Sequence, residues 1–413
     1  MRNRTVNLVS LTSIQVCNAL LPLLIFPFAL AVVGQQHYSQ LVLAEALAIA
    51  LLTVVLYSFE VDGVAQVVGL DAHRDHAEIS RVFSTIAYLR LALFAAAGLL
   101  LTAGVVVFDP QLAALLACWL LVPLSYALQP GWLYQGLERN APIAVCTATS
   151  RVAAVGLVFA LVRGEADYLL VPLLVGGAYV AGSLAAMYHA RSALGVRFVA
   201  VPYAHLRAAL CSGKEIFLGN FGVLLYRDMN VVVLGVLGTS AAAVASYSLA
   251  EKIAKSIQAA MRPLNQLFFP RALHLARSAS KPSPTVLRQL LRLTWPQLGA
   301  LAAFLATGFA AYAAVGENLP WLNRIQDVQR VVLLVGLMSL ASFFGISNFM
   351  FGVAGLNAMQ QRSYLFRAIL ATAACSLAAC FTLGWLHGEL GAAVSFVLAE
   401  LCLFALIVRK YIL

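Results

Sequence analysis

Residues 85–107 read TIAYLRLALFAAAGLLLTAGVVV, an apolar run that contains one charged residue, Arg90. About 20 apolar residues are enough for an α-helix to cross the hydrocarbon core of a bilayer. Asp109 and Pro110 follow the run, and a second apolar run begins almost at once, at residues 112–133. This stretch therefore predicts two membrane-spanning helices joined by a tight connection.

The same pattern continues along the whole chain. Its 413 residues are 62% hydrophobic and 11% charged, whereas a soluble domain is about 45–50% apolar and about 25% charged. This composition excludes a water-soluble fold. We predict an all-α integral membrane protein with twelve transmembrane helices, at residues 11–33, 40–61, 85–107, 112–133, 141–162, 168–189, 214–238, 243–268, 290–315, 330–352, 364–386 and 390–408.

The basic residues predict the orientation of these helices, since short cytoplasmic loops are enriched in Lys and Arg. If both termini are cytoplasmic, eighteen of the 27 Lys and Arg residues lie in cytoplasmic segments. The outer segments then hold three, Arg163, Arg324 and Arg330. This bias also accounts for most of the net charge of +10, so we expect no nucleic-acid partner.

A weak internal repeat divides the chain in half. Residues 43–48, LAEALA, match residues 249–254, LAEKIA, in the equivalent helix of the second half. We therefore expect two six-helix bundles, at residues 1–200 and 201–413, related by a pseudo-twofold axis along the membrane normal, with a basic central cavity between them. A chance match between segments rich in Leu and Ala is the alternative explanation.

Six basic residues fall inside the predicted spans, where each would cost about 2.5–3.5 kcal/mol at a helix centre. Two of them, Arg90 and Arg262, lie near predicted cytoplasmic helix ends, so snorkelling explains them as well as function does. The spacing of Lys252, Lys255 and Arg262 places these three on one face of a helix. We predict that the six form a binding site for an anionic substrate: Arg90, Arg151, Arg227, Lys252, Lys255 and Arg262.

Four acidic residues also fall inside the predicted spans: Glu45, Asp228, Glu251 and Glu400. Intramembrane carboxylates often carry a coupling proton. Each could equally balance a nearby base, because Asp228 adjoins Arg227 and Glu251 precedes Lys255 by four residues, the spacing of a helical ion pair.

Several classes of site are missing from the sequence. Six of the seven cysteines lie in apolar runs and no C-x-x-C pair occurs, so we expect neither a disulfide framework nor a metal site. The sequence also lacks a G-x-x-x-x-G-K-[ST] phosphate-binding loop, and its short connections leave no room for a catalytic domain. We therefore expect a protein without a cofactor that is not an enzyme.

Two groups of motifs resemble the Wzx-type O-antigen flippases of the polysaccharide transporter family, in the multidrug/oligosaccharidyl-lipid/polysaccharide exporter superfamily. One is the run WLYQGLER at residues 132–139. The other is Tyr226-Arg227-Asp228, continued by YSLAEK at residues 247–252 and by Phe269-Pro270-Arg271. Gln15, Asn18, Pro22 and Pro27 fit the first helix of the family, whereas Ser39 and the segment 64–68 depart from its pattern.

The resemblance implies a MATE-like fold in the bacterial inner membrane and a flippase that works by alternating access. Its substrate would be an undecaprenyl-pyrophosphate-linked oligosaccharide, an O-antigen or similar repeat unit, moved from the cytoplasmic to the periplasmic leaflet. The implied partners are this glycan and membrane lipid, with a polysaccharide polymerase and a chain-length regulator as further candidates.

Two other functions and the source of energy stay open at this point. A multidrug exporter of the same superfamily and a membrane polysaccharide polymerase or ligase are the alternative functions. Outward movement of a pyrophosphate down the membrane potential would release about 2.3 kcal/mol per charge per 100 mV. Proton or sodium antiport is the alternative source of energy.

Overall fold

The computed structural model describes residues 2–71, 74–279, 281–316 and 327–413, and these segments contain helices and no strand. Arg324, one of the bases expected in an outer loop, lies outside them. The chain forms two compact units, one ending at Leu224 and the other beginning at Leu225. The expected boundary, at 200/201, lies in the connection before the helix that starts at Tyr203, whereas the observed boundary lies near the end of that helix.

Unit 1 consists of α1 (Arg2–Leu56), α2 (Phe59–Val67), α3 (His76–Phe108), α4 (Pro110–Trp119), α5 (Leu121–Leu128), α6 (Gly131–Gly136), α7 (Ala141–Leu161), a 3₁₀ turn (Glu165–Leu169), α8 (Leu170–Ala193) and most of α9 (Tyr203–Arg227). Unit 2 consists of the end of α9, α10 (Asn230–Val236), α11 (Ala241–Ala260), α12 (Arg262–Ser278), α13 (Pro284–Val315), α14 (Val328–Asn348), a π-helical segment (Phe349–Leu356) and α15 (Arg362–Ile412).

The long segment α1 contains a tight hairpin at Gly34. This residue has φ 76° and ψ 166°, a conformation that glycine adopts without a steric penalty. The rings of Phe26 and Tyr38, on either side of the turn, have centroids 6.4 Å apart. Residues twelve apart in a straight helix would lie about 18 Å apart, so α1 is two antiparallel helices.

A second hairpin divides α15 at Gly388, which has φ 58° and ψ −133°. Thr372 Oγ1 lies 4.0 Å from Cys402 Sγ across this turn, although thirty residues of straight helix would separate them by about 45 Å. Each glycine therefore lets two helices follow one another with almost no loop.

Nine helical segments in the described part of the chain are long and apolar enough to cross a membrane. Two of the nine contain the hairpins at Gly34 and Gly388. The prediction of a polytopic helical membrane protein is therefore confirmed.

Several helices are interrupted where the sequence predicted continuous spans. The predicted helix at 214–238 breaks after Arg227 and resumes at Asn230, and the one at 243–268 breaks at Met261. The predicted span at 112–133 breaks at Leu120 and again at Gln129, where Pro130 disfavours helical backbone in the residue before it. Only the break at Leu120 lies between apolar side chains, so apolar periodicity cannot reveal it; the others contain Arg227 and Asp228, precede Arg262, or fall at Gln129.

Two expected cytoplasmic connections are largely helical. The helix α9 begins at Tyr203, inside the connection expected at 190–213, and α12 continues to Ser278, inside the one expected at 269–289. Their polar composition is typical of loops, but it does not prevent a helix from forming.

The helices of unit 1 approach closely at small residues, as is usual between membrane helices. A methyl group on Gly176 of α8 would lie 2.5 Å from Leu121 Cβ of α5. A methyl group on the next residue, Gly177, would have no neighbour within 4 Å. The first glycine is therefore needed for packing and the second is not.

We predict that Gly176→Ala lowers the thermal stability of the purified protein in detergent, while Gly177→Ala does not. The two changes share the same gain in helix propensity, so the difference between them isolates the overpacking, which costs about 1–3 kcal/mol. Unfolding followed by circular dichroism measures it. Equal midpoints for the two variants would contradict this account of the α5–α8 contact.

Candidate functional site

The interruption between α9 and α10 brings charged side chains of unit 2 together. Asp228 lies in the break, and its Oδ1 atom is 2.5 Å from Lys255 Nζ of α11. The same ammonium lies 3.1 Å from Glu251 Oε1, one turn earlier on α11. Lys255 is therefore held between two carboxylates, one in the break between α9 and α10 and one on its own helix.

A second ion pair lies beside the first. Arg227 Nε is 3.7 Å from Glu400 Oε1 of α15, and its NH2 group donates a hydrogen bond to Gln258 Oε1 of α11. Asn348, the last residue of α14, donates from Nδ2 to Glu400 Oε2 at 2.8 Å and to the Glu400 carbonyl oxygen at 3.0 Å. Side chains of α9 and α14 therefore contact one buried carboxylate of α15, and Gln258 of α11 binds the arginine.

These contacts nearly balance the charges of the cluster. We call Arg227, Asp228, Glu251, Lys255 and Glu400 the charged network; it joins two bases to three acids. Glu400 is 2% exposed, whereas the side chains of Arg227 and Lys255 are each 30% exposed. Glu251 and Glu400 are therefore the buried acids of the network, whereas Asp228 and the two cations remain partly exposed.

The expected basic stripe is shorter than predicted. Lys252 and Lys255 both lie on α11, but Arg262 begins α12 after the turn at Met261. The helix that was expected to carry all three bases therefore ends before the third.

Arg151 of α7 has a separate setting in unit 1. Its guanidinium lies 3.2 Å from the centroid of the Tyr179 ring. Its Nε donates to Asn18 Oδ1 at 3.1 Å and its NH2 to the Tyr126 hydroxyl at 3.2 Å. With Glu45, these residues line a cavity of about 310 Å³. This arginine therefore has its partners within unit 1, whereas Arg227 and Lys255 have theirs within unit 2.

Arg90 is held by structural contacts. Its side chain is 1% exposed and its NH2 group lies 2.6 Å from Glu60 Oε1 of α2. Its NH1 group donates to the carbonyl oxygens of Tyr126 and Gln129, which have no helical partner because α5 ends there. The predicted position near a helix end is wrong, because α3 begins at His76.

The neutral polar partners of these charges were not among the residues predicted from the sequence. Gln258 follows Lys255 by three residues and so shares its face of α11, a spacing that could have identified it. Nothing in the sequence marks Asn348 or Tyr179 as partners of residues far away in the chain. Among the described residues, no group of three or more His, Cys, Asp or Glu side chains could hold a metal ion.

The chain is similar to proteins of known sequence along almost its full length. A protein named "Putative O-antigen transporter" from Escherichia coli (strain K12) is 21% identical over 411 residues, which cover 98% of this chain and 96% of that protein.

Two solved structures share the fold of this chain. One is the inward-facing conformation of a multidrug resistance MATE family transporter of the MOP superfamily, with a TM-score of 0.59 and 10% identity over 97% of this chain and 96% of that one. The other is the lipid II flippase MurJ in an inward closed conformation, with a TM-score of 0.58 and 11% identity over 98% of this chain and 86% of that one.

The profile of the family described as "Polysaccharide biosynthesis protein" matches residues 5–276. This match includes the WLYQGLER run and the motifs of α9 and α11 that carried the resemblance. It covers more than half of the chain, and the resemblance stated from the sequence is confirmed. The chain belongs to the polysaccharide biosynthesis protein family.

Proposed function

We propose that the protein is a flippase that moves an undecaprenyl-pyrophosphate-linked oligosaccharide, an O-antigen or similar repeat unit, from the cytoplasmic to the periplasmic leaflet. Membership of the polysaccharide biosynthesis family supports a glycan substrate. The names of its relatives, an O-antigen transporter by sequence and a lipid II flippase by fold, support transport of a lipid-linked glycan. No catalytic step is part of this proposal.

One observation carries the proposal: two partly exposed cations, Arg227 and Lys255, in an apolar chain built to cross a membrane. Cations within membrane spans are costly and mark substrate or ion pathways. A pyrophosphate bears about two negative charges and needs such a path, whereas its polyprenyl tail can stay in lipid.

The charged network suggests how a pyrophosphate would bind. In the structure, Asp228 and Glu251 hold Lys255, and Glu400 holds Arg227. We propose that the pyrophosphate replaces these carboxylates as the partner of the two cations. When the pyrophosphate is released, the ion pairs with the carboxylates form again. Protonation of a carboxylate would favour the first step, so the acids of the network would serve both for charge balance and for coupling.

The remaining predicted residues join this site in the proposal with different roles. Lys252 and Arg262 lie on the two helices that meet at Met261, and we propose that they extend the basic path. Arg151 and Glu45 line the cavity of unit 1, where they would contact the substrate or balance one another. Arg90 is deeply buried, so we assign its contribution to the geometry of α5.

We also propose the twelve-helix architecture of two six-helix bundles with pseudo-twofold symmetry. Dividing the two hairpin segments turns the nine apolar segments into eleven helices. The helix α11 would be the twelfth, since its three charged residues set it apart from the other apolar segments. Transport by alternating access would then follow from two bundles, with Met1 and Leu413 on the same side of the membrane.

The first prediction concerns the two lysines of α11. Replacing Lys252 and Lys255 by Ala should reduce surface polysaccharide at least about tenfold, since each charge-assisted hydrogen bond is worth about 1.5–3 kcal/mol. Immunoblotting of the polysaccharide at matched protein levels measures the effect. Lys410→Met, which removes a base at the chain's end, serves as the control and should leave export unchanged.

Loss of Lys255 also leaves two carboxylates without their cation, and this could unfold the protein. The triple variant Lys255→Met, Asp228→Asn, Glu251→Gln removes all three charges and should restore folding without restoring export. Normal export by this triple variant would contradict the assignment of Lys255 to the substrate path.

The second prediction concerns the Arg227–Glu400 pair. Glu400 is almost fully buried, and a buried carboxylate that loses its cation is strongly unfavourable. Arg227→Gln and Glu400→Gln should each lower the midpoint of thermal unfolding. The double variant should recover part of that loss, with a coupling of about 0.5–3 kcal/mol. Strictly additive midpoints would show that the two side chains do not interact.

The third prediction tests the orientation. With both termini in the cytoplasm, green fluorescent protein fused after Leu413 should fluoresce and alkaline phosphatase fused there should be inactive. Fusions that end at Gly164, in the expected outer connection, should show the reverse. The opposite pattern at both sites would overturn the proposed direction of insertion.

A further inference from the structure

The positive charge of this chain is concentrated in one segment of unit 2. Residues 252–316 contain eight Lys and Arg residues and no Asp or Glu. This segment therefore contributes a formal charge of +8, against +10 for the whole protein. A bias of this size exceeds what orientation of a few helices requires, because a handful of bases in short loops is enough for that purpose.

The helix α12 presents much of this charge on one face. Within α12, all of which the structure describes, the buried residues are Ala272 and Ala276. Arg271, His274 and Arg277 lie on the exposed side, and the Arg271 guanidinium lies 6.0 Å from the centroid of the Phe268 ring. The helix is therefore amphipathic, with its basic groups directed away from the protein.

The start of α13 continues this surface. The two helices pack together, and Arg288, Arg292 and Trp295 follow one another at spacings of four and three residues, so they share one face of α13. All three are exposed, Trp295 to 69%. Exposed Trp side chains are typical of the boundary between the headgroups and the hydrocarbon of a bilayer.

No described carboxylate neutralises the six basic side chains of α12, of the start of α13 and of the connection between them. No carboxylate oxygen of a described residue lies within 4.0 Å of their charged groups, in contrast to Arg227, Lys255, Arg90 and Arg330, each of which has such a partner. We call this surface the basic face; it consists of Arg271, His274, Arg277, Lys281, Arg288 and Arg292.

We propose that the basic face binds the headgroups of anionic phospholipids, in the leaflet that borders this end of α13. Its charge is complementary to phosphate-bearing headgroups, and clusters of four to eight bases beside a membrane helix or on an amphipathic helix are typical of such recognition. The exposed apolar side chains between the bases, Leu267, Leu291 and Trp295, fit a surface that also meets acyl chains. The contact does not depend on what the protein transports.

Trp295 provides a direct measurement, because bromine atoms on a nearby lipid quench its fluorescence. The full-length protein is reconstituted in phosphatidylcholine with a small fraction of either brominated phosphatidylglycerol or brominated phosphatidylcholine. The same measurement on Trp295→Phe gives the signal of the other tryptophans, and subtracting it leaves the signal of Trp295. We expect the anionic lipid to quench Trp295 at least about twofold more than the zwitterionic lipid at equal fraction.

A charge-neutralised variant and a matched control decide the origin of this preference. In Arg277→Gln, Arg288→Gln, Arg292→Gln the two brominated lipids should quench equally. In Arg191→Gln, Arg197→Gln, Arg207→Gln, which removes three exposed bases of unit 1, the preference should persist. Thermal unfolding confirms that both variants are folded.

Three results would overturn the proposal. The first is equal quenching by both lipids in the unmodified protein. The second is a preference that survives in the first triple variant. The third is a preference that millimolar inorganic pyrophosphate abolishes when sodium chloride of equal ionic strength does not. That result would assign the basic face to a pyrophosphate-bearing substrate.

Discussion

An ionised side chain in an apolar, membrane-crossing chain must find a partner, and this constraint shapes both units. In unit 2 the ammonium of Lys255 lies between Asp228 and Glu251, and Asp228 can reach it because the helix breaks after Arg227. In unit 1 Arg151 stacks on Tyr179 and donates to Asn18. The break between α9 and α10 therefore occurs where a charge is satisfied, as expected for backbone that is enclosed by protein within a membrane.

The two matched six-residue segments have different surroundings. Glu45 and Glu251 occupy equivalent positions in the matched segments LAEALA and LAEKIA. Glu251 pairs with Lys255 on its own helix, whereas Glu45 lines a cavity together with Arg151, which belongs to another helix. The first half has Ala46 and Ile49 where the second half has Lys252 and Lys255, so the nearby helical base of Glu251 has no counterpart beside Glu45 in the sequence.

The sequence sufficed for the membrane class, for most helix positions and for the residues that carry charge. It also sufficed for the family, since the motifs are local. It did not reveal the partners: Arg227 meets Glu400, and Arg151 meets Asn18, over distances along the chain that no periodicity encodes. Nor did it reveal the break at Leu120, because apolar composition continues through it. Pairing and interruption both depend on which helices are neighbours, and that information is tertiary.

The ion pairs differ in whether the base or its acidic partner is synthesised first. Lys255 is made after both of its carboxylates, Asp228 and Glu251, so it can enter the bilayer already neutralised. Arg90 likewise follows Glu60, although its carbonyl partners at Tyr126 and Gln129 come later. Arg227 has to wait for Glu400, which is near the end of the chain. Until the part of α15 that follows Gly388 has been made, that cation depends on its hydrogen bond to Gln258.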